Sequence, residues 1–153
     1  MKIAIAFALI TACIAATYRA PITHAPDYTA VGLKVNDVLE AIIIGFNQIK
    51  IIANNDNPAV GYIISRKLDV ANVQAVEVYE RARAAIAAQS LTVAQAKGLI
   101  SELTDIVFGV LNDTQDERLQ LSTTASNQIT DHFFGTYAAV PRLGHEIYAL
   151  LAQ

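Results

Sequence analysis

Cysteine is nearly absent from this 153-residue chain: the one present, Cys13, lies inside an apolar leader. The disulfide framework that staples many small extracellular domains is therefore excluded. Tryptophan is missing, and the seven glycines form no phosphate-cradling loop. Charged residues make up only 16% of the chain, and the formal net charge is −3. Nucleic acid calls for a clustered basic face, and an anionic membrane surface for a polybasic stretch; neither is present. No apolar run reaches the roughly 20 residues that a helix needs to cross a bilayer, so no transmembrane segment is expected.

Apolar side chains are what the sequence has in quantity. They make up 54% of it, too many for a disordered chain and more than one small core easily hides. They begin at once. Lys2, the run Ile3 to Ile10 and the small-residue exit Ala12 to Ala16 have the layout of a secretory signal peptide. Residues 1–16 are expected to be cleaved off after Ala15 or Ala16, and the mature chain to be secreted. Ile10-Thr11-Ala12-Cys13 also has the form of a lipobox, so in a bacterial source the alternative is a lipid anchor through Cys13. Residues 17–33 read as an extended arm, because Pro21 and Pro26 forbid a continuous helix. Residues 34–153 are expected to form one domain.

The periodicity of that domain is helical throughout, and the expected fold is all-α: a compact bundle of about five helices. Asn36 or Asp37 can cap the first helix, whose stripe runs through Val38, Ile42, Phe46, Ile49 and Ala53. The β-branched runs Ile42 to Ile44 and Ile49 to Ile52 suit strands by composition, but the helical stripe passes through both. Asn57-Pro58 reads as a cap followed by a first-turn proline, opening a segment to about Lys67. Another helix is expected from about Asp69 to Gln89, with an alanine stripe and a Glu77–Arg81 pair in the favourable order. Thr92 to Gln95 has the form of a capping box, followed by Ala96, Ile100, Leu103, Val107 and Leu111 on one face. A helix from about Gln115 to Leu121 has its weak point at Ser122-Thr123-Thr124 before reaching Phe134. Val140-Pro141 is expected to open the last helix.

Chemistry is harder to find. His24, His132 and His145 stand apart. The pairs Asp131–His132 and His145–Glu146 are adjacent in sequence, so their members point to different sides of a helix. No Cys/His spacing suits a metal, and no metal site or cofactor is expected. There is no Gly-x-Ser-x-Gly motif. The acidic group Asp113, Asp116 and Glu117 sits at a helix boundary, where the dipole accounts for it. The chain reads as a non-enzyme. Asn112-Asp113-Thr114 is an N-glycosylation sequon, making Asn112 a candidate site in a eukaryotic source.

One pattern suggests a partner. Ile44 and Ile51 lie two turns apart, nearly opposite the main stripe of their helix, and Tyr62 and Ile63 add apolar surface close by. These four form the candidate ligand or partner face. The expected function is that of a secreted, disulfide-free, non-enzymatic helical protein binding an apolar small molecule, a lipid or a hydrophobic surface. The alternative is a structural, self-assembling secreted protein that acts through helix–helix contacts as a homo-oligomer.

Overall fold

The computed structural model describes residues 25–153. The signal-like segment with Cys13, most of the arm, and His24 lie outside the described residues. Four long helices and one single turn follow: α1 (Tyr28–Asp56), α2 (Pro58–Ala87), α3 (Val93–Asp113), α4 (Gln115–Arg118) and α5 (Thr123–Leu151). No strand occurs among the described residues.

Several boundaries differ from expectation. The helix at the arm's end starts at Tyr28, capped by the Asp27 carboxylate, which accepts from the Thr29 and Ala30 N–H groups at 3.0 and 3.1 Å. Asn36 and Asp37 are mid-helix, and the extended arm, where described, ends at Asp27 instead of residue 33. The cause is apolar: Val31 is fully buried and carries the stripe one turn further back. The break expected between Lys67 and Asp69 is absent as well. Leu68 between them is fully buried, and Asp69 pairs with Lys50 of α1. Arg81 pairs with Glu102 of α3 at 2.6 Å, not with Glu77.

Pro141 opens no helix; it lies inside α5. Its missing N–H leaves the carbonyl of Tyr137, an exposed residue, without a helical donor. An internal proline costs about 3 kcal/mol. Buried Val140, Leu143 and Ile147 around it each contribute roughly 1.5–3 kcal/mol, which is enough to hold the helix through it. Other signals hold as read. Asn57 alone separates α1 from α2 and accepts from the Val60 N–H, with Pro58 in the first turn. Thr92 and Gln95 form a reciprocal capping box. Ser122 caps α5.

Contacts between neighbouring helices run in opposite directions. Asn36 meets Tyr79 and Asn54 meets Ser65 between α1 and α2. Arg81 meets Glu102 and Lys67 meets Glu117 between α2 and the α3–α4 segment. Lys97 lies over Tyr148 and Phe108 beside Tyr137 between α3 and α5. Lys34 meets Glu146, and Phe46 packs edge-on to Phe133, between α1 and α5. The result is an up-down-up-down four-helix bundle. Its centre is filled by Ile42, Phe46, Ile49, Ile64, Leu68 and Phe133, all fully buried.

Two glycines set the helix spacing around α1. A methyl group on Gly45 would come within 1.9 Å of Thr136 Oγ1 in α5, and one on Gly61 within 2.6 Å of the Asn54 backbone. The end of the bundle near Asn57 is closed by polar contacts. The Asp56 carboxylate accepts from the Ser122 N–H at 2.8 Å and from its hydroxyl. Lys67 donates to Glu117 at 2.8 Å and to the Asp113 carbonyl. Arg118 donates to the Leu111 carbonyl at 3.0 Å and to Thr130 at 2.7 Å. The last turn of α3 holds no basic residue, so cations from α2 and α4 satisfy carbonyls its end leaves open.

Chemically identical changes at two glycines should have opposite outcomes. Gly61→Ala, which meets backbone, should destabilise by about 1–3 kcal/mol. Gly135→Ala, whose new methyl meets nothing within 4 Å, should stabilise by about 0.5–1 kcal/mol. Urea midpoints of the two variants check both. A second prediction concerns acid. The Lys67 ammonium holds the Glu117 carboxyl below its ordinary range, and the Ser122 hydroxyl does the same for Asp56. Both groups are depressed, so their contribution is complete above the ordinary carboxyl range and is lost as pH falls through the folded values. Glu117→Gln should flatten the fall in stability below about pH 4.5, read from urea midpoints down to about pH 3.

Candidate functional site

α1 and α2 are joined by a single residue and lie side by side, so their outer faces form one continuous surface. At about 100° per residue, Leu33, Ile44 and Ile51 share one line on the side of α1 away from the core. Ile44 and Ile51 are 52% and 53% exposed. Asp37, Glu40 and Asn47 alternate with them, so the line is apolar with polar interruptions. On α2, Tyr62 lies on the outer line with Val73, flanked by Val76. The structure thus brings Ile44, Ile51 and Tyr62 to one surface. Ile63 is also exposed but lies a quarter-turn around α2, on the side of Val70 and toward α3.

Charges pin this surface down without covering it. Lys50 and Asp69 bridge α1 and α2. Arg66 donates to the Tyr62 hydroxyl at 3.3 Å and places its guanidinium 6.0 Å from the ring centre, an arrangement that raises the Arg66 pKa further. At the far end, Lys34 reaches Glu146 at 2.9 Å and Asp37 at 3.2 Å. The hydrogen bond to Glu146 is the larger of the causes that raise its pKa.

The exposed apolar set is wider than the sequence suggested. Leu33, Val70, Val73 and Val76 belong to it on α1 and α2. A separate aromatic group, Phe108, Phe134 and Tyr137, lies along α3 and α5, with Phe108 and Tyr137 at 6.0 Å. Spacing held a usable signal: Val73 stands eleven residues, three turns, beyond Tyr62. The alanine stripe Ala71, Ala75 and Ala82 repeats with helical spacing on the same helix and hides it.

The interior offers little room. The apolar crevice between Val38, Leu39, Val78, Ala82, Ile100 and Leu103 has a volume of about 20 Å³. Small-molecule pockets run to about 300–1,000 Å³, so this crevice has room only for something the size of a water. His132 and His145 are exposed, and no cluster of three metal-ligating side chains occurs among the described residues. Also among these residues, no helix is long and apolar enough to cross a membrane. Asn112 is exposed, whereas the sequon's Thr114 is fully buried and donates its hydroxyl to the Val110 carbonyl at 2.8 Å. No family model, curated protein or solved structure matches the chain.

If the outer line of α1 plays no part in the fold, removing it should cost little. Ile44→Asp and Ile51→Asp should each change stability by no more than about 0.5 kcal/mol. Ile49→Ala, in the core of the same helix, should cost about 2–5 kcal/mol. Thermal melts of the three variants separate the two classes.

Proposed function

We propose that the chain is a secreted, non-enzymatic protein that binds hydrophobic surfaces through the outer faces of α1 and α2. The observation that carries this reading is an inversion within α2. Between residues 70 and 76 the core side holds Ala71 and Ala75, while Val70, Val73 and Val76 face outward. Apolar side chains left over from a crowded core would not leave alanines inside and valines outside. Valine is also a poorer helix former than alanine, so its placement outside works against the helix. Among the described residues, α1 and α2 carry eight of the twelve exposed large apolar side chains, six of them on the outer faces (Leu33, Ile44, Ile51, Tyr62, Val73 and Val76) and Ile63 and Val70 toward α3. An extended apolar face of this kind is characteristic of interaction surfaces. The 20 Å³ volume of the apolar crevice between α1, α2 and α3 favours a surface over an enclosed small molecule.

Self-association is the competing reading, favoured by the Phe108–Phe134–Tyr137 group on the opposite side of the bundle. Interfacial tension at an oil–water boundary separates the two. The wild type should adsorb, and a combined Ile51→Asp, Tyr62→Ser, Val73→Asp variant should need about tenfold more protein for the same effect. Failure of the wild type to adsorb would end the proposal. A concentration-dependent oligomer in sedimentation, lost in Phe108→Ser with adsorption unchanged, would assign the aromatic group to self-association.

A further inference from the structure

The seam between α2 and α3 is the thinnest of the four around the bundle. An open groove of about 340 Å³ runs along it. Its floor is apolar: Ala71, Ile106 and Val110. Val70, 61% exposed, forms the α2 edge. The α3 edge carries Glu102, Asp105 and Asp113. Asp105 and Asp113 have no basic side-chain partner among the described residues, and Glu102 is shared with Arg81. Lys67, the cation in the groove lining, is already engaged by Glu117 and by the Asp113 carbonyl. The groove is thus apolar at its base and acidic along one rim.

Gly109 lies in this wall, inside a helix, and a side chain there would meet nothing within 4 Å. A glycine inside a helix costs about 0.5–1 kcal/mol relative to alanine. Gly45 and Gly61 have an internal reason for theirs; Gly109 has none. It leaves a notch in the groove where another backbone can come close.

We propose that this groove receives a basic amphipathic helix from a partner. The apolar stripe of that helix would rest on Ala71, Ile106 and Val110, its closest backbone approach would fall at Gly109, and its Lys or Arg side chains would face Asp105 and Asp113. From Glu102 to Asp113 the wall is about 16 Å long, room for the three or so anchors that a docked helix presents at i, i+4 and i+7. Charge complementarity selects the basic partner and disfavours an acidic one. The site is independent of the outer α1–α2 surface apart from Val70, which borders both.

The test uses the full chain and a fluorescently labelled amphipathic helix of leucine and lysine, about 18 residues long, followed by anisotropy. Saturable one-to-one binding is expected. Gly109→Gln should fill the notch and weaken binding about tenfold or more, whereas Gly135→Gln, equally open but on α5 and outside the groove, should leave it unchanged. Asp105→Asn with Asp113→Asn should weaken binding and reduce its salt dependence. A matching leucine–glutamate peptide should not bind. No binding by the wild type, equal binding by Gly109→Gln, equal weakening by Gly135→Gln, or equal binding of the acidic peptide would each overturn the proposal. Circular dichroism of each variant confirms that the bundle is intact.

Discussion

Everything in this bundle depends on how closely α1 lies to its two neighbours. Gly45 lets α5 approach until Thr136 occupies the space where a side chain would be, and Gly61 lets α2 turn back against the Asn54 backbone. Those approaches bring Phe46 onto Phe133, and Ile49 and Ile64 fully out of water. With no disulfide among residues 25–153, nothing covalent besides the chain itself keeps the helices together. Close packing across the two faces of α1 has to do it, and interiors packed at crystal-like density have no slack for an extra methyl at these crossings.

The sequence showed the fold class because its strongest signals are local. Asn57-Pro58 and the Thr92–Gln95 box act within one turn, and each stops or starts a helix where it stands. The readings that failed were those in which a distant contact decided. Asp27 and Asn36 are equally good caps by residue type, and the choice falls on Asp27 because Val31 is buried by the rest of the bundle and α1 extends to include it. Lys67-Leu68-Asp69 looks like a polar interruption until Leu68 is in the core and both charged neighbours have found partners on other elements. Pro141 is the same lesson in stronger form: a local breaker outweighed by the burial of Val140, Leu143 and Ile147.

The candidate face was legible only in part. Ile44 and Ile51 could be placed opposite the stripe because α1 has one unambiguous core side. Tyr62 belongs with them, but Ile63 faces another way, since neighbours in a helix differ by about 100°. The valines of α2 carry little signal in the sequence, because alternation of alanine and valine gives a weak contrast. Only burial distinguishes which of the two the helix turns inward.

That contrast matters for how the bundle can meet other molecules. The seams of α1 are lined by large side chains, whereas α2 presents Ala71, Ala75 and Ala82 to the interior. The α2–α3 seam is therefore thin in apolar contact and is helped by ion pairs, Arg81–Glu102 and Lys67–Glu117. The first pair is about half exposed, and exposed pairs contribute about 1 kcal/mol or less. Ile64 and Leu68 anchor α2 in the core, but between residues 70 and 76 the same helix gives alanines to the interior and valines to solvent. The proposed apolar surface and the acid-rimmed groove both border this helix, on its outer side and its α3 side. Substitution at the exposed Val70, Val73 and Val76 perturbs the core least, so this stretch of α2 is where a packed, disulfide-free bundle can carry binding residues without loosening the crossings of α1.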